Sequence, residues 1–183
     1  EAEELVDRAA RSVCSILGGT RGNVVFTSGG TEANNLALLG AALARRRPGA
    51  MVLSSRIEHP SVFNTLKELE SLGLEVALVG VDRYGVVDMN EFKRLLTPAT
   101  VLVSIMHVNN ETGAIQPIRE IASAVRAFST GRASTKGPLL HVDAVQSLGH
   151  IPFRPLDIGV DLVSVSAHKI HGPKGVGALW VRD

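Results

Sequence analysis

The side chains able to do chemistry gather in a few short stretches, and the densest is Ser166-Ala167-His168-Lys169, where a hydroxyl, an imidazole and an amine meet. A lysine is ordinarily a solvated side chain, but this one follows an apolar run, Asp161–Val165, and precedes the glycine-punctuated His171-Gly172-Pro173-Lys174-Gly175. An amine so placed attacks a carbonyl when unprotonated, a state that nearby positive charge and partial burial favour. Asp143 closes a second apolar run, Leu139–Val142; a carboxylate there caps the following helix or holds a cation at the strand tip. Gln146, three residues on, reaches the same space. His59, in Ile57-Glu58-His59-Pro60, follows the run Met51–Ser54, where an imidazole can stack on a planar ring or move protons. The turn Thr27-Ser28-Gly29-Gly30-Thr31-Glu32 combines small residues with the free N–H groups of a helix start, a setting that favours a phosphate. It matches neither of the two common glycine-rich nucleotide motifs. Val108-Asn109-Asn110-Glu111-Thr112-Gly113 suits an ordinary turn as well as a binding loop.

These stretches need elements to hold them. Seven apolar, β-branched runs recur: Asn23–Thr27, Met51–Ser54, Glu75–Val79, Val101–Met106, Leu139–Val142, Asp161–Val165 and Val176–Val181. Most are nearly continuous rather than alternating, as in strands buried on both faces. Helical segments with start signals lie between them: one opening at Thr31, one at Pro60, one capped by Asp88 and one following Pro117. The alternation predicts an α/β domain with a mainly parallel seven-stranded sheet, helices on both faces and right-handed crossovers. No helix separates the last two runs, so one antiparallel neighbour is expected there. Ser129–Pro138 reads as a flexible surface loop. In such sheets ligands bind beyond the carboxyl ends of the strands, where the residues above fall.

Composition narrows the functions. With 183 residues, 45% of them hydrophobic, the chain suits one domain with a sizeable core. Nineteen Lys and Arg against 18 Asp and Glu give a formal charge of +1, so no global field draws nucleic acid or an acidic membrane. No run reaches the ~18 uninterrupted apolar residues that a membrane span requires. The single cysteine, Cys14, excludes an internal disulfide framework and a multi-thiolate zinc site; no metal site is expected. It sits in a helix-like stretch, Leu5–Leu17, and reads as core. A reducing compartment is implied, the cytoplasm or an organelle.

One ligand accounts for the combination. A phosphate at Gly30 and Thr31 with Ser166 and His168, an aromatic ring against His59, a protonated ring nitrogen at Asp143 and an aldehyde facing Lys169 describe pyridoxal 5'-phosphate (PLP).

The stretches FTSGGTEANNLAL, EHPSV, LVSIMHVNNETGAIQPI, HVDAVQSLGHIP and VDLVSVSAHKIHGPKGVGALWVR, in that order, resemble the class V aminotransferase-like PLP enzymes, specifically the cysteine desulfurases, with selenocysteine lyase as close kin. The resemblance implies the large domain of the fold-type I PLP architecture over residues 1–183. It makes Lys169 the lysine that carries the cofactor, Asp143 the partner of the pyridinium nitrogen and His59 the stacking and proton-transfer residue. Asn110 and Gln146 match the contacts to the phenolic oxygen side of the ring, and Gly30, Thr31, Ser166 and His168 match the phosphate contacts; Asn109 and Glu111 stay scaffold. The implied substrate is L-cysteine, converted to alanine with sulfur left on an enzyme cysteine for an iron–sulfur scaffold or other acceptor, in a homodimer. Selenocysteine lyase, another class V C–S lyase and a non-catalytic domain of the same fold are the alternatives.

In relatives the sulfur-accepting cysteine follows the lysine on a mobile loop, and a small C-terminal domain and a carboxylate-binding arginine complete the site. None of these matches a stretch here. The expectation is an incomplete large domain that cannot turn over cysteine by itself.

Overall fold

A computed structural model describes residues 1–17, 23–130 and 137–183. Seven strands form one sheet: β1 (Asn23–Thr27), β2 (Met51–Ser55), β3 (Glu75–Val79), β4 (Thr100–Met106), β5 (Leu139–Asp143), β6 (Leu162–Ser166) and β7 (Gly177–Val181). Their order is β1-β7-β6-β5-β4-β2-β3. The four pairings from β3 to β6 are parallel, while β7 runs antiparallel to both β6 and β1. The reversed strand is the one expected from the missing crossover helix.

Three strands reach past the carboxyl ends of their apolar runs, and β2 does so by one residue, Ser55, paired with Val79. β5 continues through Asp143, paired with Met106 and Ser164, and β6 continues through Ser166, paired with Gly177. Backbone ladder bonds are indifferent to side-chain polarity, so the strands carry their polar residues to the sheet edge instead of ending before them.

The helices are α1 (Ala2–Ile16), α2 (Gly30–Ala44), α3 (Pro60–Ser71), α4 (Met89–Leu95), α5 (Ile118–Thr130) and the single turn α6 (Pro155–Ile158). α4 starts as its cap predicts, Asp88 accepting from the Asn90 and Glu91 N–H groups. α2 begins one residue before Thr31 and has no side-chain cap. α5 takes in Ser129 and Thr130 of the expected loop, whose residues 131–136 lie outside the described residues.

Strand alternation sends consecutive residues to opposite faces, each covered by helices. Leu53, Val103, Ile105, Leu140, Val142, Val163 and Trp180 pack on one face with Phe92 of α4 and Ile121 and Val125 of α5, and Cys14 of α1 joins this core. Val52, Leu102, Leu162 and Leu179 pack on the other with Ala33, Ala37 and Leu38 of α2 and Val62 and Leu66 of α3. Fully burying one such aliphatic side chain contributes about 1.5–3 kcal/mol. Small alanines on α2 let that helix lie close over the sheet and bring its N-terminus to the strand ends.

Candidate active site

At the carboxyl ends of β4, β5 and β6, a cleft of about 290 Å³ opens between the start of α2, the start of α3 and the turn after β6. That volume sits at the lower edge of the ~300–1,000 Å³ usual for small-molecule sites. Eight of the nine residues expected there line it: Gly30, Thr31, His59, Asn110, Asp143, Gln146, His168 and Lys169. Ser166 does not. It is buried, one step behind the wall, with its hydroxyl 2.7 Å from Nδ1 of His168.

Asp143 is the floor. Only 6% exposed, it accepts the Val145 N–H on Oδ1 at 3.0 Å and the Asn34 amide on Oδ2 at 2.7 Å. Burial pushes its carboxyl above the ordinary value, opposed by those two hydrogen bonds and the nearby His59. It therefore both caps the following turn and faces the cleft. A cation bound against it would return charge balance to a desolvated carboxylate.

His59 is the N-cap of α3: its Nδ1 accepts the Ser61 N–H at 3.1 Å. Proline at the next position presets the helix and costs no hydrogen bond. Beneath it, Glu58 is buried and clamps two strand ends, accepting the Met106 N–H on both oxygens at 3.1 and 3.0 Å together with the Ser55 hydroxyl. Burial, with Asp143 nearby, raises the Glu58 carboxyl to about 8 despite those donors. Asn109 pins the neighbouring loop: its amide donates to the Ile57 carbonyl at 2.9 Å, and its oxygen accepts from the Glu111 and Thr112 N–H groups. That scaffold role leaves Asn110 to face the cleft.

Lys169 and His168 lie on a short helical turn, Ala167–Ile170, at the cleft mouth, where both are exposed. The partial burial expected of Lys169 is absent, because the turn projects past the end of β6 and no described element covers it. The turn closes at His171, the one non-glycine residue at positive φ among those described, at 63°.

Glycine serves packing here more than ligand approach. A Cβ on Gly30 would lie 2.6 Å from a Val145 methyl, so Val145, not a ligand, occupies the space that the missing side chain leaves. On Gly177 it would lie 2.5 Å from the Gly29 backbone. The start of β7 thus sits directly against the turn before α2.

Sequence reasoning missed Asn34, Ser61, Met106, Val108 and Val145, which also line the cleft. Asn34 had a signal: it interrupts the buried stripe Ala33, Ala37, Leu38 and Ala41 on α2, and a polar residue in such a stripe needs a partner. Ser61 and Val145 had none.

The family model for class V aminotransferases matches residues 1–183. The chain belongs to the class V aminotransferase family. A similar curated protein is the cysteine desulfurase IscS 1 of Archaeoglobus fulgidus, 46% identical over 183 residues, which are all of this chain and 46% of that protein. The crystal structure of DndA from Streptomyces lividans superposes with a TM-score of 0.86 at 40% identity, covering 99% of this chain and 48% of that one. SspA in complex with cysteine superposes with a TM-score of 0.86 at 36% identity, covering 100% of this chain and 51% of that one. The chain spans about half the length of the relatives it matches. The class V aminotransferase family is PLP-dependent, and the seven-stranded sheet is the one shared with these structures.

The donor set in the cleft fits PLP. Gly30 and Thr31 present the first N–H groups of α2, which no intrahelical carbonyl can satisfy. Beside them stands the His168 imidazole; a desolvated carboxylate forms the floor and a primary amine stands at the mouth. An anionic group, a protonated ring nitrogen and a carbonyl carbon each find a complement.

Proposed function

We infer that residues 1–183 are the cofactor-binding large domain of a PLP-dependent cysteine desulfurase that takes sulfur from L-cysteine and releases alanine. The observation that carries this reading is the shared cleft of Asp143 and Lys169, with His59 beside them.

Gly30, Thr31 and His168 hold the phosphate, with Ser166 orienting His168 through its hydroxyl. Asp143 holds the ring nitrogen protonated, Asn110 and Gln146 contact the phenolic oxygen, and His59 lies against the ring. Bound PLP supplies an electron sink for the pair released when the substrate's α-proton leaves. Lys169 Nζ takes that proton as general base once its amine is free, and His59 assists later protonation. An exposed amine on a projecting turn has the freedom to move between those tasks.

The nucleophile that receives sulfur must be ionised to react. Cys14 is buried in the core on the far face of the sheet, and burial raises its thiol. We assign the persulfide to a cysteine outside these residues, and substrate-carboxylate binding likewise. Homodimer formation, transfer of sulfur to an iron–sulfur scaffold or other acceptor, and a cytoplasmic location belong to the same proposal, on the strength of the resemblance. Among the described residues no helix is long and apolar enough to cross a membrane.

The purified protein is expected to be yellow with PLP, to give a borohydride-stable adduct at Lys169, and to lose that adduct on Lys169→Ala. The full-length protein is expected to release alanine from L-cysteine. An adduct elsewhere, or no cofactor retained at all, overturns the reading.

A further inference from the structure

We propose that Asn34 and Ser61 are positioning residues that fix His59 in the tautomer with its proton on Nε2 and link that setting to Asp143. Four hydrogen bonds carry the inference, two meeting at His59 Nδ1 and two leading from Ser61 through Asn34 to Asp143. Ser61 N–H donates to His59 Nδ1 at 3.1 Å, and a ring nitrogen that accepts a backbone N–H carries no proton of its own. In the neutral ring the proton therefore sits on Nε2. The Ser61 hydroxyl lies 2.8 Å from the same Nδ1. That hydroxyl oxygen accepts one amide hydrogen of Asn34 at 2.9 Å, which leaves the hydroxyl proton to point at His59. The second amide hydrogen of Asn34 goes to Asp143 Oδ2 at 2.7 Å.

The direction of this chain is imposed from the Asp143 end. An ionised carboxylate accepts and does not donate, so it dictates which end of the Asn34 amide faces it. Turning the amide over would set its oxygen against the carboxylate and draw the Ser61 hydroxyl proton away from His59. The orientation costs something: Asn34 is 1% exposed, and its Oδ1 is buried with no hydrogen-bond partner among the described residues. A buried orphan acceptor costs about 1–3 kcal/mol. Holding it means that the two donor bonds outweigh it. The arrangement reverses when Asp143 takes up a proton, because the amide oxygen then has a donor to meet, and Ser61 in turn loses the donor that aligns its hydroxyl.

For the chemistry, the chain means that the group facing the cleft from His59 is an N–H, supplied in a set orientation, and that the carboxylate serving the ring nitrogen helps to set it. This deepens the PLP reading of His59 and rests on it, but the tautomer can be measured without cofactor. In cofactor-free, full-length protein labelled with 15N-histidine, the His59 nitrogens are expected to show the Nε2–H form. Asn34→Leu and Ser61→Ala are each expected to raise the minor tautomer about fivefold, the factor equivalent to ~1 kcal/mol for one hydrogen bond. Ser61→Thr, which keeps the hydroxyl, is expected to restore the original ratio. A wild-type proton on Nδ1, or tautomer ratios unchanged in both Asn34→Leu and Ser61→Ala, overturns the proposal, whatever the borohydride result. Should Asn34→Leu fail to fold, the wild-type spectrum and the Ser61 pair decide.

Discussion

The two faces of the central strands differ in a way that their shared backbone conceals. On the face under α4 and α5 the side chains stay apolar along nearly the whole strand length, with Leu53, Val103, Ile105, Leu140, Val142, Val163 and Val165, and the buried Ser55 at the end of β2 is the exception. On the face under α2 and α3 they begin apolar, with Val52, Leu102 and Leu162, and turn polar toward the carboxyl ends, with Ser54, Ser104, His141, Asp143, Ser164 and Ser166. Every one of those polar residues is buried, so each must find a partner or cost stability. Ser54, Ser104, His141 and Ser164 find one another, while Asp143 bonds Asn34 and Ser166 bonds His168. His141 sits between the Ser104 and Ser164 hydroxyls, at 2.9 Å on each side, and burial pushes its imidazole down to about 3, so it stays neutral. Alternation with period two lets Val142 anchor a dry core while Asp143 serves a cleft. Stability and chemistry are thereby written on the same strand without competing.

That separation can be broken. Leu140→Ala is expected to destabilise the protein by about 2–5 kcal/mol, as large-to-small core changes do, with the visible band of bound cofactor unchanged at temperatures where the fold persists. A displaced band there would mean that the faces are not independent. Asp143→Asn is expected to do the opposite, cutting turnover by about 10²–10³-fold, the loss usual for one electrostatic partner of a reacting group, while stability falls by only about 1–3 kcal/mol, the cost of leaving one of its two donors unmet. A collapse of the midpoint with turnover lost in proportion would assign Asp143 to the fold rather than to the site.

Glu58 sharpens the boundary, because it is a buried carboxyl that faces Asp143 but clamps strand ends. Its carboxyl rises from an ordinary 4.5 to about 8 in the folded chain. Between those values the folded state binds the proton that the unfolded state has released, so stability falls as pH rises through this window and levels off above it. Glutamine cannot titrate. The stability of Glu58→Gln relative to wild type is therefore expected to climb from pH 5 to pH 8 by up to a few kcal/mol, at ~1.36 kcal/mol per unit. A flat difference in midpoint across that range would show that Glu58 is ionised at neutral pH. The smallest effect is expected away from both faces: Asp88→Ala removes the α4 cap for about 1 kcal/mol, with turnover intact.

Much of this was legible before any coordinates. The strand runs, the single reversed strand and the starts of α3 and α4 followed from apolar runs and caps, which act over a few residues. Eight of nine expected site residues line one cleft, because strand-then-loop placement puts their side chains at the carboxyl edge. The exceptions share a cause. Ser166 reads as a ligand contact from its neighbours His168 and Lys169, but whether it faces the cleft depends on how far the β6–β7 ladder runs. The exposure of Lys169 depends on what other elements cover it.

Local chemistry in the chain is enough to settle the kinds of element and their sequence, and to name the amine, carboxylate and imidazole that one ligand would need. Which face each residue joins, that Asn34 on α2 bonds Asp143 across 109 positions, and that Glu58 supports Met106 rather than facing a ligand were settled by packing. Hydrogen bonds reach only about 3 Å, and which groups come that close is decided by helices and strands meeting across the whole domain.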